Sequence, residues 1–553
     1  MRRQVAREYR LGIWLLFAAL KVCVWPLQPS WGDEGSGLSA EVVGWRGTVA
    51  AAGGGDVPEE VLGLIRRAAG EGGSVLIVSG AAEDRAAAVE SAERWLREGG
   101  LSQVVSDLAL ESTSGREGVL RQIESATAVW ICGGQQGRLA ESWHGSGMEA
   151  GLRALLSRGG FVGGTSAGAA ILSKVMIQSG TSEPEIGEGW DVISGVVIDQ
   201  HFSERKRSGR LEEAVRRNAG LVGLGVDEGT AAVIEGRRLS VVGSGSVSVV
   251  TCECAYREDR IQRLLAGGVA DLTQYRRAAR QRVTGMDPGR TSVGRVGVES
   301  GSLVIVGGGL MPADVVKRFV DLAGGANGHV VVLPTAVYPS ETDRRVPGFL
   351  AQAGLRRISV LDQRGQLADT KEFREVLEDA TGIWFGGGRQ WHFVDAYEGT
   401  GALELFQGVL KRGGVIGGSS AGATIQGEFL VRGSPLGNTV MMAEGYERGF
   451  GFLPGTAIDQ HFSQRGRQVD LLGVIRQHRG LLGIGLDEGT AIVVRGGRAE
   501  VAGLHAAHFL SARQLESTGA IETPYELEEA KKLYVSVASG GAIDLTTLKV
   551  EGE

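Results

Sequence analysis

Two serines stand in matching glycine-flanked settings, Gly164-Thr165-Ser166-Ala167-Gly168 and Gly418-Ser419-Ser420-Ala421-Gly422, each after an apolar run and before a helix-like stretch. A serine held on a sharp strand-to-helix turn needs small residues on both sides. The helix that follows aims its first amides at developing negative charge. Ser166 and Ser420 are the expected nucleophiles, since Thr165 and Ser419 fall outside the central slot. A hydroxyl needs a base to attack at neutral pH, and histidine is the usual one. Of the 8 histidines only His201 and His461 recur in matching places, inside "DQHFSERKR" (199–207) and "DQHFSQRGR" (459–467). They follow their serines by 35 and 41 residues.

The base should be oriented by a carboxylate. Asp227-Glu228 and Asp487-Glu488 follow the apolar runs "LVGLGV" and "LLGIGL", at a strand end where such a group belongs. Spacing leaves Asp and Glu equally open. Asp199 and Asp459 lie too near their histidines in sequence to face them easily. The order Ser…His…acid differs from that of the α/β-hydrolases, so that fold is not the one implied. An oxyanion hole needs two converging amides, and Ala167 with Gly134 of "GGQQ", or Ala421 with Gly388 of "GGRQ", would supply them. Arg205, Arg207 and Arg210 come four, six and nine residues after His201, a group suited to bidentate capture of a carboxylate. The second copy keeps Arg465 and Arg467 but has Asp470 in the third place, which would weaken its hold on an anionic substrate.

These groups are positioned by one domain written twice. Gly53–Gly55 recurs as Gly307–Gly309, "VWICGG" (129–134) as "IWFGGG" (383–388), and "GGTSAGA" (163–169) as "GGSSAGA" (417–423), all at an offset of 254. "DQHFS" and the "DEGTA" strings recur at 260, so the second copy carries six extra residues between serine and histidine. The copies span about 40–275 and 296–553, with the arginine-rich stretch 276–295 as a linker. Within each, β-branched runs such as "GSVLIVSG" and "GHVVVLPT" alternate with helical patterns such as "AAAVESAERWLREGG" and "RRVPGFLAQAGLRR". That alternation predicts an α/β fold, a mostly parallel sheet with helices on both faces and the site at the carboxyl ends of its strands. The glycine clusters fall there.

Composition agrees with a globular chain: 553 residues, 42% hydrophobic, 22% charged, with glycine unusually frequent at 89. The net charge of −7 lacks the basic excess of a nucleic-acid binder. Residues 1–31 have a basic, then apolar, then small and polar layout. This is a signal peptide or N-terminal anchor, and it predicts a secreted or periplasmic protein, membrane-anchored if uncleaved. Cys23, Cys132, Cys252 and Cys254 make no disulfide framework, and no histidine cluster beside them calls for a metal.

Taken together, "GGTSAGA" and "GGSSAGA", "IDQHFSERKR" and "IDQHFSQRGR", and "GVDEGTA" and "GLDEGTA" resemble the cyanophycinases. These are serine peptidases of the class I glutamine-amidotransferase-like, flavodoxin-like fold, related to peptidase E. The resemblance implies nucleophiles at Ser166 and Ser420, bases at His201 and His461, and acids at Glu228 and Glu488. It implies substrate contacts from Gln136, Gln200, Gln390 and Gln460 and from Arg205, Arg207, Arg210, Arg465 and Arg467. The partner it implies is a peptide or polymer substrate, cyanophycin (multi-L-arginyl-poly-L-aspartate), cleaved to β-Asp-Arg dipeptides without a cofactor. Since members of the family act as dimers, it also implies an internal pseudo-dimer or a homodimer. Two other readings stay open: a related Asp-specific dipeptidase or amidohydrolase, and one catalytic copy beside a non-catalytic binding copy. Gln135 and Arg389 depart from the family's usual Gly-Gly-Asp-Gln.

Overall fold

The computed structural model describes residues 46–285, 287–289, 295–338, 346–518 and 526–551. The segment 1–31 lies outside them, and among the described residues no helix is long and apolar enough to cross a membrane.

In the first copy the apolar runs form five parallel strands: β1 (Thr48–Ala52), β2 (Val75–Val78), β3 (Val104–Ser106), β4 (Ala128–Ile131) and β5 (Phe161–Thr165). Their order across the sheet is β3–β2–β4–β5–β1, and three antiparallel strands, Thr230–Glu235, Arg238–Gly243 and Val269–Asp271, continue it beyond β1. These strands are buried on both faces, so successive side chains feed two cores. Val49 and Ala51 point into one with the helices Asp107–Ser125 and Met148–Ser157. Ala50 and Ala52 point into the other with Glu59–Ala69 and Arg85–Glu98. After β5 the chain turns into a four-residue helix, α1 (Ala167–Ala170). A second sheet then places β6 (Val196–Gln200) parallel to β7 (Val222–Val226), with Gln200 opposite Val226. The first copy ends in α2 (Leu272–Thr284), capped by the Asp271 carboxylate, which accepts the Gln274 N–H at 2.7 Å.

The second copy repeats this plan. Its first strand is β8 (Val298–Val306), the strand before its serine is β9 (Val415–Ser419), and its second sheet carries β10 (Leu453–Gln460) beside β11 (Leu482–Leu486). Of the helix expected over 344–357, the described part 346–357 is helical only over Gly348–Ala351, because Pro347 sets its start and Gly354 stands at φ 77° beyond its end.

Residues 276–284 of the expected linker are helical, the second half of α2, and they are packed between the copies. Arg282 meets Glu444 at 2.5 Å, Arg257 meets Glu447 at 2.5 Å, and Arg277 donates to the Gly445 carbonyl at 2.9 Å. Deeper in, the buried Arg237 binds Asp271 of its own copy, then Asp395 at 2.8 Å and the Tyr446 hydroxyl at 2.8 Å of the other. Its guanidinium lies 4.1 Å from the Trp391 ring. Composition does not match those acids to the arginines, since they come from the middle of the other copy. Glu444–Glu447 sit in the segment 433–448, which holds the six extra residues. The backbone bonds Gly189 N to Lys174 O and Gly449 N to Glu428 O mark where the two copies come back into step. The insertion thus builds the docking loop.

Arg237 neutralises the buried Asp271 and the half-buried Asp395, so Arg237→Met should cost about 3–5 kcal/mol in urea unfolding and separate the transitions of the two copies. Arg67→Ala, which loses only the exposed pair with Glu235, should cost about 0.5 kcal/mol or less. A loss below about 1 kcal/mol for Arg237→Met would mean that the docking network is idle.

Candidate active site

The elbow is built by steric exclusion. Ser166 sits at φ 52°, ψ −113°, and Ser420 at φ 57°, ψ −112°. A Cβ on Gly164 would lie 2.4 Å from the Gly168 oxygen, and one on Gly168 would lie 2.2 Å from the Ile131 oxygen. Only glycine lets β5, β4 and α1 converge this closely.

Three successive carbonyls at the end of β1 then collect three distant segments. Ala52 O accepts the Ser166 N–H at 2.9 Å, Gly53 O accepts the His201 N–H at 2.7 Å, and Gly54 O accepts the Gly229 N–H at 2.9 Å. Val306, Gly307 and Gly308 do the same for Ser420, His461 and Gly489, at 3.1, 2.8 and 2.8 Å. A Cβ on Gly54 would sit 2.1 Å from His201 Cε1, and one on Gly308 would sit 2.4 Å from His461 Cε1. The glycine pair is the floor against which each imidazole lies.

Ser166 Oγ is 2.9 Å from His201 Nε2, and His201 Nδ1 is 2.5 Å from Glu228 Oε1. In the second copy the same distances are 3.0 and 2.5 Å, through His461 and Glu488. The neighbouring parallel strands β6 and β7 end side by side, so the residues just past them meet. Of the two acids left open by spacing, Glu faces the imidazole. Asp227 is buried and accepts from Ser203 N at 3.1 Å and Ser246 Oγ at 2.6 Å. Burial alone would raise its carboxyl, but these bonds outweigh it and hold the group below the usual range. Asp487 is tied in the same way to Ser463 N at 3.0 Å. Among the described residues nothing accepts the N–H groups of Gly134 and Ala167, or of Gly388 and Ala421. A hydroxyl on an imidazole whose other nitrogen meets a carboxylate, beside free amides, can attack a carbonyl and shelter the resulting oxyanion.

The residues expected to hold substrate divide into two groups. Arg205 and Arg465 are exposed and without an ion pair among the described residues. Gln136 and Gln390 are buried, and their amides donate to Ile177 O at 2.8 Å and Val431 O at 3.0 Å, bracing the segment after each serine. Gln200 and Gln460 are buried at the strand ends. Arg207 donates to the Gln200 carbonyl at 2.6 Å, and Arg467 to that of Gln460 at 2.7 Å. Arg210 is buried against Asp199, with Nε to Oδ2 at 2.9 Å. The second copy holds Asp459 with Arg432, which the sequence did not single out, since it stands opposite Gln178 in a poorly matching stretch. The β1 carbonyls were missed too. The glycine clusters marked them, but backbone acceptors carry no residue type.

The profile of peptidase family S51 matches residues 50–242 and 303–502. A cyanophycinase from Geminocystis herdmanii is 30% identical over 199 residues, covering 35% of this chain and 73% of the relative. A cyanophycinase from Trichormus variabilis is 27% identical over 214 residues, covering 37% and 70%. The crystal structure of a peptidase from an acI-B1 Actinobacterium aligns at a TM-score of 0.33 with 23% identity, over 45% of this chain and 98% of that one.

Burial, with Arg465 and Arg467 beside it, holds the His461 imidazole below its ordinary value despite the opposing bond to Glu488. A lowered value keeps the ring neutral further into acid. The acid limb of kcat/KM in the Ser166→Ala protein should therefore have its midpoint below pH 6.5. In the Ser420→Ala protein, Gly54→Ala should lower kcat about 100-fold by displacing His201. Gly63→Ala, where a Cβ meets nothing within 4 Å, should leave it unchanged.

Proposed function

The chain belongs to peptidase family S51, and we propose that each copy hydrolyses β-aspartyl peptide material, with cyanophycin as substrate and β-Asp-Arg dipeptide as product. The observation that carries this reading is the hydrogen-bonded series of serine, histidine and glutamate, repeated at matching distances in both copies. The name of the two curated relatives supports the substrate class.

In the first copy Ser166 Oγ attacks the scissile carbonyl carbon while His201 Nε2 takes its proton. Glu228 keeps the Nδ1–H side of the ring fixed and stabilises the imidazolium. The carbonyl oxygen moves into the N–H groups of Gly134 and Ala167 as it gains charge. His201 returns the proton to the leaving amine, and water then cleaves the acyl-enzyme with the same histidine as base. The exposed Arg205 receives a carboxylate of the substrate. Ser420, His461, Glu488, Gly388, Ala421 and Arg465 take these roles in the second copy.

Ser166→Ala and Ser420→Ala, singly and together, test the assignment on cyanophycin with mass-spectrometric detection of β-Asp-Arg. Each single variant should keep part of the activity, and the double variant should fall by about 10⁴-fold or more. Activity surviving in the double variant would refute the mechanism. Faster turnover of short Asp-X peptides than of cyanophycin would instead identify an Asp-specific dipeptidase.

A further inference from the structure

We infer that Arg432 is a positioning residue of the second site, doing from the loop after Ser420 what Arg210 does from the helix after His201, so that Asp470 is its counter-ion and not a lesion. This rests on the reading of both copies as peptidase sites.

The two arrangements share their main arginine contacts. In the first copy the buried Asp199 accepts both sides of the Arg210 guanidinium, Nε at 2.9 Å among them, and Arg207 Nη1 at 3.4 Å. Arg210 Nη1 donates to the Gly180 carbonyl at 2.6 Å. In the second copy the buried Asp459 accepts Arg432 Nε at 3.0 Å, Arg432 Nη2 at 3.0 Å and Arg467 Nη1 at 3.0 Å. Arg432 Nη1 donates to the Asn438 carbonyl at 2.7 Å. The carbonyl comes each time from the segment between serine and histidine. Yet the two arginines are not counterparts in sequence. The glutamine bonds to Ile177 and Val431 align Arg432 with Gln178, and the offset of 260 aligns Asp470 with Arg210. A neutral residue and an arginine in one copy have become an arginine and an aspartate in the other. The aspartate now accepts from Arg432 Nη2 at 2.6 Å.

Local backbone supports a cost accepted for this contact. Gln178 is exposed in the strand Val175–Ser179, whereas Arg432 is turned to φ 57°, a conformation that side chains rarely adopt, and is 3% exposed. What the cluster holds is the chain just before the base. Asp459 Oδ1 accepts the Gln460 N–H at 3.0 Å, and Arg467 donates to the Gln460 carbonyl at 2.7 Å. His461 follows directly at φ 50°. Without Arg432 the fully buried Asp459 keeps one guanidinium, and the peptide that aims His461 loses its clamp.

The experiment isolates one site at a time and transposes the charge. In Ser166→Ala protein, Arg432→Gln should lower kcat on cyanophycin about 100-fold with KM little changed. Adding Asp470→Arg should restore kcat to within about 10-fold of the Ser166→Ala parent. The mirror set in Ser420→Ala protein is Arg210→Asp, which should lose activity, and Arg210→Asp with Gln178→Arg, which should regain it. It carries the test if Arg432→Gln does not fold. Parental kcat in Arg432→Gln, or a double variant no better than the single, overturns the inference. An inactive Ser166→Ala protein beside an active Ser420→Ala protein also overturns it, while leaving the peptidase reading of the first copy standing. Inactivity of the unsubstituted protein on cyanophycin would instead remove the peptidase assignment itself.

Discussion

Everything at the site hangs on the last carbonyls of the first strand. Ala52, Gly53 and Gly54 offer three acceptors in succession, and the serine, histidine and acid-bearing segments each donate one backbone N–H to them. Hydrogen bonds tolerate little stretch, so three loops from different parts of the chain are brought into register by one short run of backbone. The requirement for glycine follows. The acceptors must be approached from above by a ring and from the side by another chain, and a Cβ would collide with either. The parallel sheet supplies the rigid strand and the second sheet supplies the histidine and its acid from adjacent ends. The elbow supplies the serine, at a left-handed φ that the surrounding packing enforces.

A second theme is the buried carboxylate surrounded by arginine. It appears beside each histidine and again between the copies, where Arg237 lies among Asp271, Asp395 and Tyr446. Burying such groups is unfavourable unless they are matched, and a matched cluster is directional in a way that apolar packing is not. At the histidine this fixes a peptide plane. Between the copies it fixes which surface of one meets which surface of the other. The faces are unlike: α2 and Arg237 of the first copy meet the Asp395 helix and the inserted loop of the second.

Much of this is legible in the sequence. The duplication, the two elbows, the paired histidines and the parallel α/β plan follow from period, spacing and residue type. The choice between Asp227 and Glu228 did not, because it depends on how far each side chain reaches past the end of β7. The sequence groups the arginines as a single substrate grip, whereas Arg210 is buried on Asp199 and Arg205 is exposed. Spacing on one helix cannot tell that Arg210 faces inward to Asp199 while Arg205 faces outward. Arg432 was hidden for a deeper reason. An alignment of copies compares equivalent positions, but a guanidinium can reach one point in space from two inequivalent places in the chain. The linker expected over 276–295 is helical over 276–284 for a similar reason: the acids that fold α2 against the second copy are distant in sequence, Glu444 lying 162 residues from Arg282.

The inserted loop has a consequence for how the molecule meets dilution. A contact made largely of ion pairs and a few arginine–aromatic stacks is a weak basis for holding two free proteins at low concentration. Here both halves share a chain, and a short tether keeps each at an effective concentration on the order of millimolar for the other. Docking is thus a first-order event, indifferent to how much protein is present. The interface needs only enough energy to choose an orientation. That relaxed demand lets six residues in one copy create a contact to which the other copy brings no matching insertion.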